Sequence, residues 1–147
     1  TQEKVDEAIA QRQTGLLLVI DVDQFKQIND RYGHITGDSV LQEVVRILSL
    51  MTFKHDILGR VGGDEFVIIG NNHSQNEIAR LKAMIQEEIA KKNAESAKPY
   101  LLSVSIGTAH GKCNDSDDVE HLLRVADEAM YDEKIQLKRA EERQSHV

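Results

Sequence analysis

Asp21 and Asp23 close an apolar run, and Asp64 and Glu65 follow a pair of glycines further along the chain. Carboxylate oxygens are the ligands hard divalent cations take, so adjacent acids such as Asp64 and Glu65 could hold one. Gly62 and Gly63 lack a Cβ and let a bulky ligand approach the main chain. A backbone open to phosphate beside cation-binding acids points to a nucleotide site. The stretch from Arg60 to Phe66 also reads as a plain β-hairpin with solvated acids at its tip. Ile57-Leu58 and Val67-Ile68-Ile69 have strand composition, and the Gly-Gly pair would supply the positive φ of a tight turn.

The elements that must carry these residues follow from periodicity. Residues 2–13 have the composition of a polar helix that Gly15 ends. Leu16 to Asp23 is a run apolar on both faces that ends on two acids, which fits a central strand covered by helices on one side and crowded on the other. Asp21 and Asp23 share one parity, so a persisting strand would aim both at a cation held by the Asp64 hairpin. Asp23 equally suits the N-cap of the next helix, which carries Phe25, Ile28 and Tyr32 at helical spacing. Residues 33–37 read as a loop. Asp38 then stands as an N-cap, or as a ligand-binding acid, before Val40, Leu41, Val44, Val45 and Leu48. Ser74 should cap a helix to about Ala94 with Ile78, Leu81, Ile85 and Ile89 buried. Tyr100 to Thr108 alternates as a half-buried strand, and residues 111–118 read as a loop. The last helix buries Val119, Leu122, Leu123, Ala126 and Met130, with Lys134 and Lys138 on another face that reads as solvated. The order implies an α+β sandwich with a ferredoxin-like β-α-β-β-α-β core, its mainly antiparallel sheet flanked by helices.

Composition narrows the classes. With 147 residues, 40% of them hydrophobic, the chain suits one globular domain. A net charge of −7 argues against a broad basic face, so no DNA or RNA partner is expected. The lone Cys113 cannot form an internal disulfide, which suits a reducing, cytoplasmic setting. The longest apolar run, Leu16 to Ile20, is too short to cross a bilayer, and no membrane contact is expected of this chain. Thr1 falls inside a helical pattern, as in one domain taken from a longer protein that could itself be membrane-anchored.

DVDQFKQIND, YGHITGD and RVGGDEF occur in that order, followed by SVSIGTA and LLRVADEAMYDEK, and together they resemble the GGDEF family of diguanylate cyclases over nearly the whole chain. The resemblance implies a palm-type nucleotidyl cyclase fold and the condensation of two GTP into cyclic di-GMP with release of two pyrophosphates, in bacterial second-messenger signalling. It implies Mg²⁺ or Mn²⁺ held by Asp21, Asp64 and the Val22 carbonyl, with Glu65 assisting removal of the 3′-hydroxyl proton. Phe25, Lys26, Gly63, Lys134 and Lys138 fall at phosphate-binding positions, and Asn29 with Asp38 at the guanine-reading pair. Each domain would hold one GTP, so catalysis implies a homodimer, and an N-terminal sensory or receiver domain is implied in the full protein.

Three positions depart from the family pattern. Lys138 stands where an arginine is usual, keeping the charge but losing the bidentate fork. At the product-binding Arg-x-x-Asp motif Asp56 fits the acid while Phe53 replaces the arginine, which implies no working product inhibition. The Asp-x-Leu-Thr segment that usually precedes the first helix is missing. These departures keep a second reading in view, a catalytically silent regulatory module that binds GTP.

Overall fold

The computed structural model describes residues 14–52, 57–71, 75–112 and 115–145. The expected helix over residues 2–13, the Phe53/Asp56 positions, the Ser74 cap and Cys113 lie outside them. Strand β1 (Thr14–Val22) runs through the middle of a four-stranded sheet, which is why its sequence is apolar at both parities. It is flanked by β3 (Glu65–Asn71) and β4 (Val104–Lys112), while β2 (Ile57–Arg60) pairs with β3, giving the order β2-β3-β1-β4 with every pair antiparallel. This is the ferredoxin-like order expected of the sequence.

Helices cover both faces. Leu18, Ile20 and Val22 project from β1 into a core shared with α1 (Phe25–Tyr32), α2 (His34–Met51) and α3 (Gln75–Glu95). Val19 projects the other way, with Val67, Ile69 and Ala109, onto Val119, Leu122, Ala126 and Met130 of α4 (Ser116–Ser145). The α3 stripe Ile78, Leu81, Ile85 and Ile89 is buried as its spacing predicts. Helix α4 sits so close to β4 that a Cβ on Gly107 would lie 1.8 Å from the Ala126 carbonyl oxygen. Asp115 starts α4 by accepting the Asp118 N–H at 2.9 Å.

The remaining edge of β4 is covered by side chains. Gln86 of α3 donates to the Val104 carbonyl at 3.0 Å, and Glu133 of α4 accepts the Ile106 N–H at 3.3 Å. Lys82 pairs with Glu133, so the two helices meet around the sheet edge and satisfy backbone groups an edge strand leaves open.

Several sequence expectations are corrected. Residues 34–37 are helical, because Gly33 alone makes the turn: at φ 92° its N–H bonds the Asn29 carbonyl at 2.8 Å, and its own carbonyl accepts the Gly37 N–H at 3.1 Å. Asp38 therefore lies inside α2 and is not its N-cap. Asp23 does not cap α1 either; the cap position is Gln24, at φ 56°. In α2, Val40, Leu41, Val44 and Leu48 are buried as expected and Ile47 joins them, whereas Val45 is 38% exposed. Strand β4 begins at Val104 and continues through Gly111 to Lys112, and both its faces are covered, with Ser105 fully buried. The β2–β3 connection spans Val61 to Asp64, and neither Gly62 nor Gly63 has positive φ.

Candidate active site

The acids predicted to act together meet where β1 ends beside the β2–β3 loop. Asp21 is the register partner of Glu65 on one side and of Ser105 on the other. One residue on, the Val22 N–H donates to the Asp64 carbonyl at 3.1 Å, tying the loop to the end of β1. The loop is closed by the Val61 N–H on the Glu65 carbonyl at 2.9 Å. Arg60 clamps it from within, donating to the Gly62 carbonyl at 3.0 Å and the Gly63 carbonyl at 2.6 Å. Two consecutive carbonyls held on one side turn the Gly63 and Asp64 N–H groups to the other, because C=O and N–H oppose each other across a planar trans peptide.

The two acids of β1 end up in different circumstances. Asp23 accepts the Ser103 hydroxyl at 2.7 Å and the Ser105 hydroxyl at 2.6 Å, so both its oxygens are satisfied, one from the start of β4 and one from the residue just before it. Asp21 accepts Lys134 Nζ at 2.6 Å through Oδ2, while its Oδ1 is buried without a hydrogen-bond partner. Such an atom carries a desolvation cost unless something binds it. Burial raises the Asp21 pKa, the Lys134 hydrogen bond opposes this, and the Asp64 charge adds to the rise. Glu65 is raised by burial first, then by the charges of Asp127, Asp21 and Asp64. For Lys134 burial pushes downward but is outweighed by the hydrogen bond and charge of Asp21, with Asp23 and Asp64 adding, so its pKa is raised and the ammonium stabilised.

Beside these acids opens a cleft of about 520 Å³ lined by Val22, Phe25, Lys26 and Asp64, with Lys134 and Lys138 on its α4 wall. The metal-site, phosphate-site and basic residues singled out in the sequence are thus brought to one place. Gly63 stands at its loop with open space where a Cβ would be, so packing within the protein gives no reason for glycine there. Asp38 lies apart, exposed on α2, in a second cleft of about 360 Å³ with Leu41, Gln42, Arg60 and Phe66. Asn29 packs against Gly37, the residue before Asp38. Sequence reasoning missed Ser103, Ser105, Asp127 and the Arg60 clamp. The equal parity of Ser103, Ser105 and Gly107 was the available signal for a serine face on β4, but nothing local linked it to Asp23.

A divalent cation fits the end of β1. The groups expected to hold it, the Asp21 and Asp64 carboxylates and the Val22 carbonyl, are all oxygen donors of the kind such a cation takes, and Asp21 Oδ1 is buried without a hydrogen-bond partner. Among the described residues no three His, Cys, Asp or Glu side chains converge to hold a metal by themselves. Also among the described residues, no helix is long and apolar enough to cross a membrane.

The diguanylate cyclase DosC of Escherichia coli K12 is 40% identical over 117 residues, 78% of this chain and 25% of DosC. Diguanylate cyclase A of Treponema denticola is 34% identical over 124 residues, 84% of this chain and 33% of that protein. The chain therefore spans about a quarter to a third of the length of these curated relatives. The crystal structure of the GGDEF domain of DgcB from Caulobacter crescentus in complex with c-di-GMP superposes with a TM-score of 0.80 at 27% identity, covering 92% of this chain and 82% of that one. The active GGEEF domain of a diguanylate cyclase from Vibrio cholerae gives 0.76 at 28% identity, covering 88% and 85%. The family described as "Diguanylate cyclase, GGDEF domain" matches residues 1–140, and the chain belongs to that family.

Proposed function

We propose that this domain condenses two molecules of GTP into cyclic di-GMP, each 3′-hydroxyl attacking the α-phosphate held by a partner copy. The observation that carries the reading is the end of β1, where Asp21 keeps one buried oxygen free beside Asp64, Glu65 and a cleft walled by Lys134 and Lys138. Mg²⁺ or Mn²⁺ held by Asp21, Asp64 and the Val22 carbonyl would supply charge neutralisation at the reacting phosphate. Lys134 and Lys138 bind the outer phosphates, and the Phe25 and Lys26 main-chain N–H groups at the start of α1 meet the same oxygens. The Lys26 ammonium, exposed at the cleft mouth, adds a third cation. Gly63 lets the loop backbone lie under the triphosphate.

Glu65 takes the 3′-hydroxyl proton; its raised pKa brings it closer to neutral, where a general base works best. Asn29 and Asp38 read the guanine edge. A homodimer is required because one domain presents one nucleotide, and holding the two in register converts a bimolecular reaction into an oriented one. The domain acts in the cytoplasm, where its GTP is, under an input domain elsewhere in the full protein.

The test is incubation of the domain with GTP and Mg²⁺ at high protein concentration, with chromatographic separation of products and Asp64→Ala as control. Cyclic di-GMP that appears faster than linearly with protein concentration and vanishes in the variant is the expected result. Metal-dependent GTP binding without product would instead favour the silent regulatory module.

A further inference from the structure

Gly37 lies in the first turn of α2, where its N–H already bonds the Gly33 carbonyl and its backbone is ordinary helix. Glycine is a poor helix residue, and nothing in the helix itself asks for it. The space a side chain would need is taken: a Cβ on residue 37 would lie 1.7 Å from Asn29 Oδ1, 2.8 Å from Asn29 Cγ and 3.4 Å from Asn29 Nδ2. Only Asn29 appears among the nearest atoms. Asn29 is fixed at its other end as well, its carbonyl accepting the Gly33 N–H at 2.8 Å. The Gly33 turn therefore folds α1 onto α2 so that the carboxamide oxygen of Asn29 occupies the place a Cβ on residue 37 would take.

From this geometry we propose that Gly37 is the residue that sets base specificity, acting through Asn29; the inference rests on the guanine role given above to Asn29 and Asp38. With the carboxamide oxygen turned in toward Gly37, the amide nitrogen is the atom turned out. Asn29 then offers donors, and Asp38, one residue beyond Gly37 and exposed, offers acceptors. A donor beside an acceptor complements a carbonyl beside an N–H, which is the guanine O6/N1 edge. Adenine presents the reverse, an amino donor beside a ring acceptor, and leaves both protein groups mispaired. A side chain at 37 has no need to unfold the domain, because the atom it meets is the far end of a flexible side chain. It rotates Asn29 away and disorders the reader while leaving the helix intact.

The experiment is a double-mutant cycle on Gly37→Ala, Asn29→Ala and the pair together. Binding of the α,β-methylene analogues of GTP and ATP is measured by calorimetry with Mg²⁺, and thermal melting is recorded for each variant. Gly37→Ala should melt at or above the parent, since alanine is the better helix former. Its affinity for the GTP analogue should fall about ten- to a hundredfold, as should its preference over the ATP analogue. Adding Gly37→Ala to Asn29→Ala should cost nothing further. Should Gly37→Ala melt lower, the double variant must regain the melting temperature of Asn29→Ala. Retained discrimination in Gly37→Ala, additive losses in the double variant, or a melting loss the double variant does not recover would each overturn the proposal. A parent that binds the two analogues equally would sink the guanine reading itself.

Discussion

Replacing Asp64 by asparagine should make the domain more stable and inactive at once. Asp64 raises the pKa of both Asp21 and Glu65, so in the absence of cation the end of β1 gathers three carboxyl groups around the ammonium of Lys134. Two like charges 4 Å apart repel by about 1 kcal/mol in water and about 4 kcal/mol at an effective dielectric of 20. Asp64 is half-buried, its partners keep some contact with solvent, and its attraction to Lys134 offsets part of the repulsion, which puts the net relief at about 1 kcal/mol or less. In a domain of this size that raises the melting midpoint by about 2–4 °C at most.

The assay is thermal denaturation of Asp64→Asn and parent followed by circular dichroism, first with chelator near neutral pH. The gain should shrink on acidification, because protonated neighbours no longer repel Asp64. Millimolar Mg²⁺ should reverse the order: a ligand bound by the folded parent stabilises it in proportion to the logarithm of its concentration over Kd, and the variant forfeits that binding. A variant that melts at or below the parent in chelator refutes the reasoning, as does a gain that persists in acid.

Three further outcomes follow from the geometry. Acidification should move activity and stability in opposite directions: an acid whose pKa is higher in the fold adds stability below the ordinary carboxylate value and loses it as pH rises through the folded value, while the proposed roles of Glu65 and Asp21 require both ionised. Comparing product formation and melting midpoints with Glu65→Gln isolates this, and an unchanged pH slope in that variant would count against it. Gly107→Ala should destabilise by about 1–3 kcal/mol, because its methyl meets the Ala126 carbonyl and the Met130 N–H, neither of them a yielding side-chain end. It should also weaken triphosphate binding by displacing Lys134; unchanged melting would refute the close packing. Arg60→Ala should cost under about 1 kcal/mol overall, since Arg60 is exposed, yet speed hydrogen exchange at residues 61–65 and slow product formation. Equal exchange rates would show that the clamp does not hold the loop.

Periodicity made the sheet and helix stripes legible, because burial repeats along each element: β1 at every position from Leu18 to Ile20, α3 at Ile78, Leu81, Ile85 and Ile89. Caps and turns were less legible, since they depend on which residue starts a helix. Gly33 supplies the whole α1–α2 turn through one positive φ, which moved the start of α2 ahead of Asp38 and removed its capping role. The Gly62-Gly63 pair suggested positive φ by composition, while the loop is shaped instead by the Arg60 side chain. Lys134 illustrates the limit of local pattern. On its helix it reads as a solvated lysine, and its partner Asp21 lies 113 residues away in sequence, so only the GGDEF resemblance singled it out.

The Asp-x-Asp at the end of β1 looks symmetrical in sequence, two equal acids on one parity. Register breaks the symmetry. Ser105 of β4 and Ser103 just before it reach Asp23 and satisfy both its oxygens, making it a brace between two strand ends. Asp21 is the register partner of Ser105, yet the Ser105 hydroxyl donates to Asp23, and Lys134 covers only one of the Asp21 oxygens. A fold selected for stability alone would not leave a buried carboxylate oxygen unpartnered beside two more acids, since each term raises its energy. The cost is reasonable if that oxygen is kept for a cation, and if the neighbouring Asp23 braces the strand end so that the oxygen is held in place.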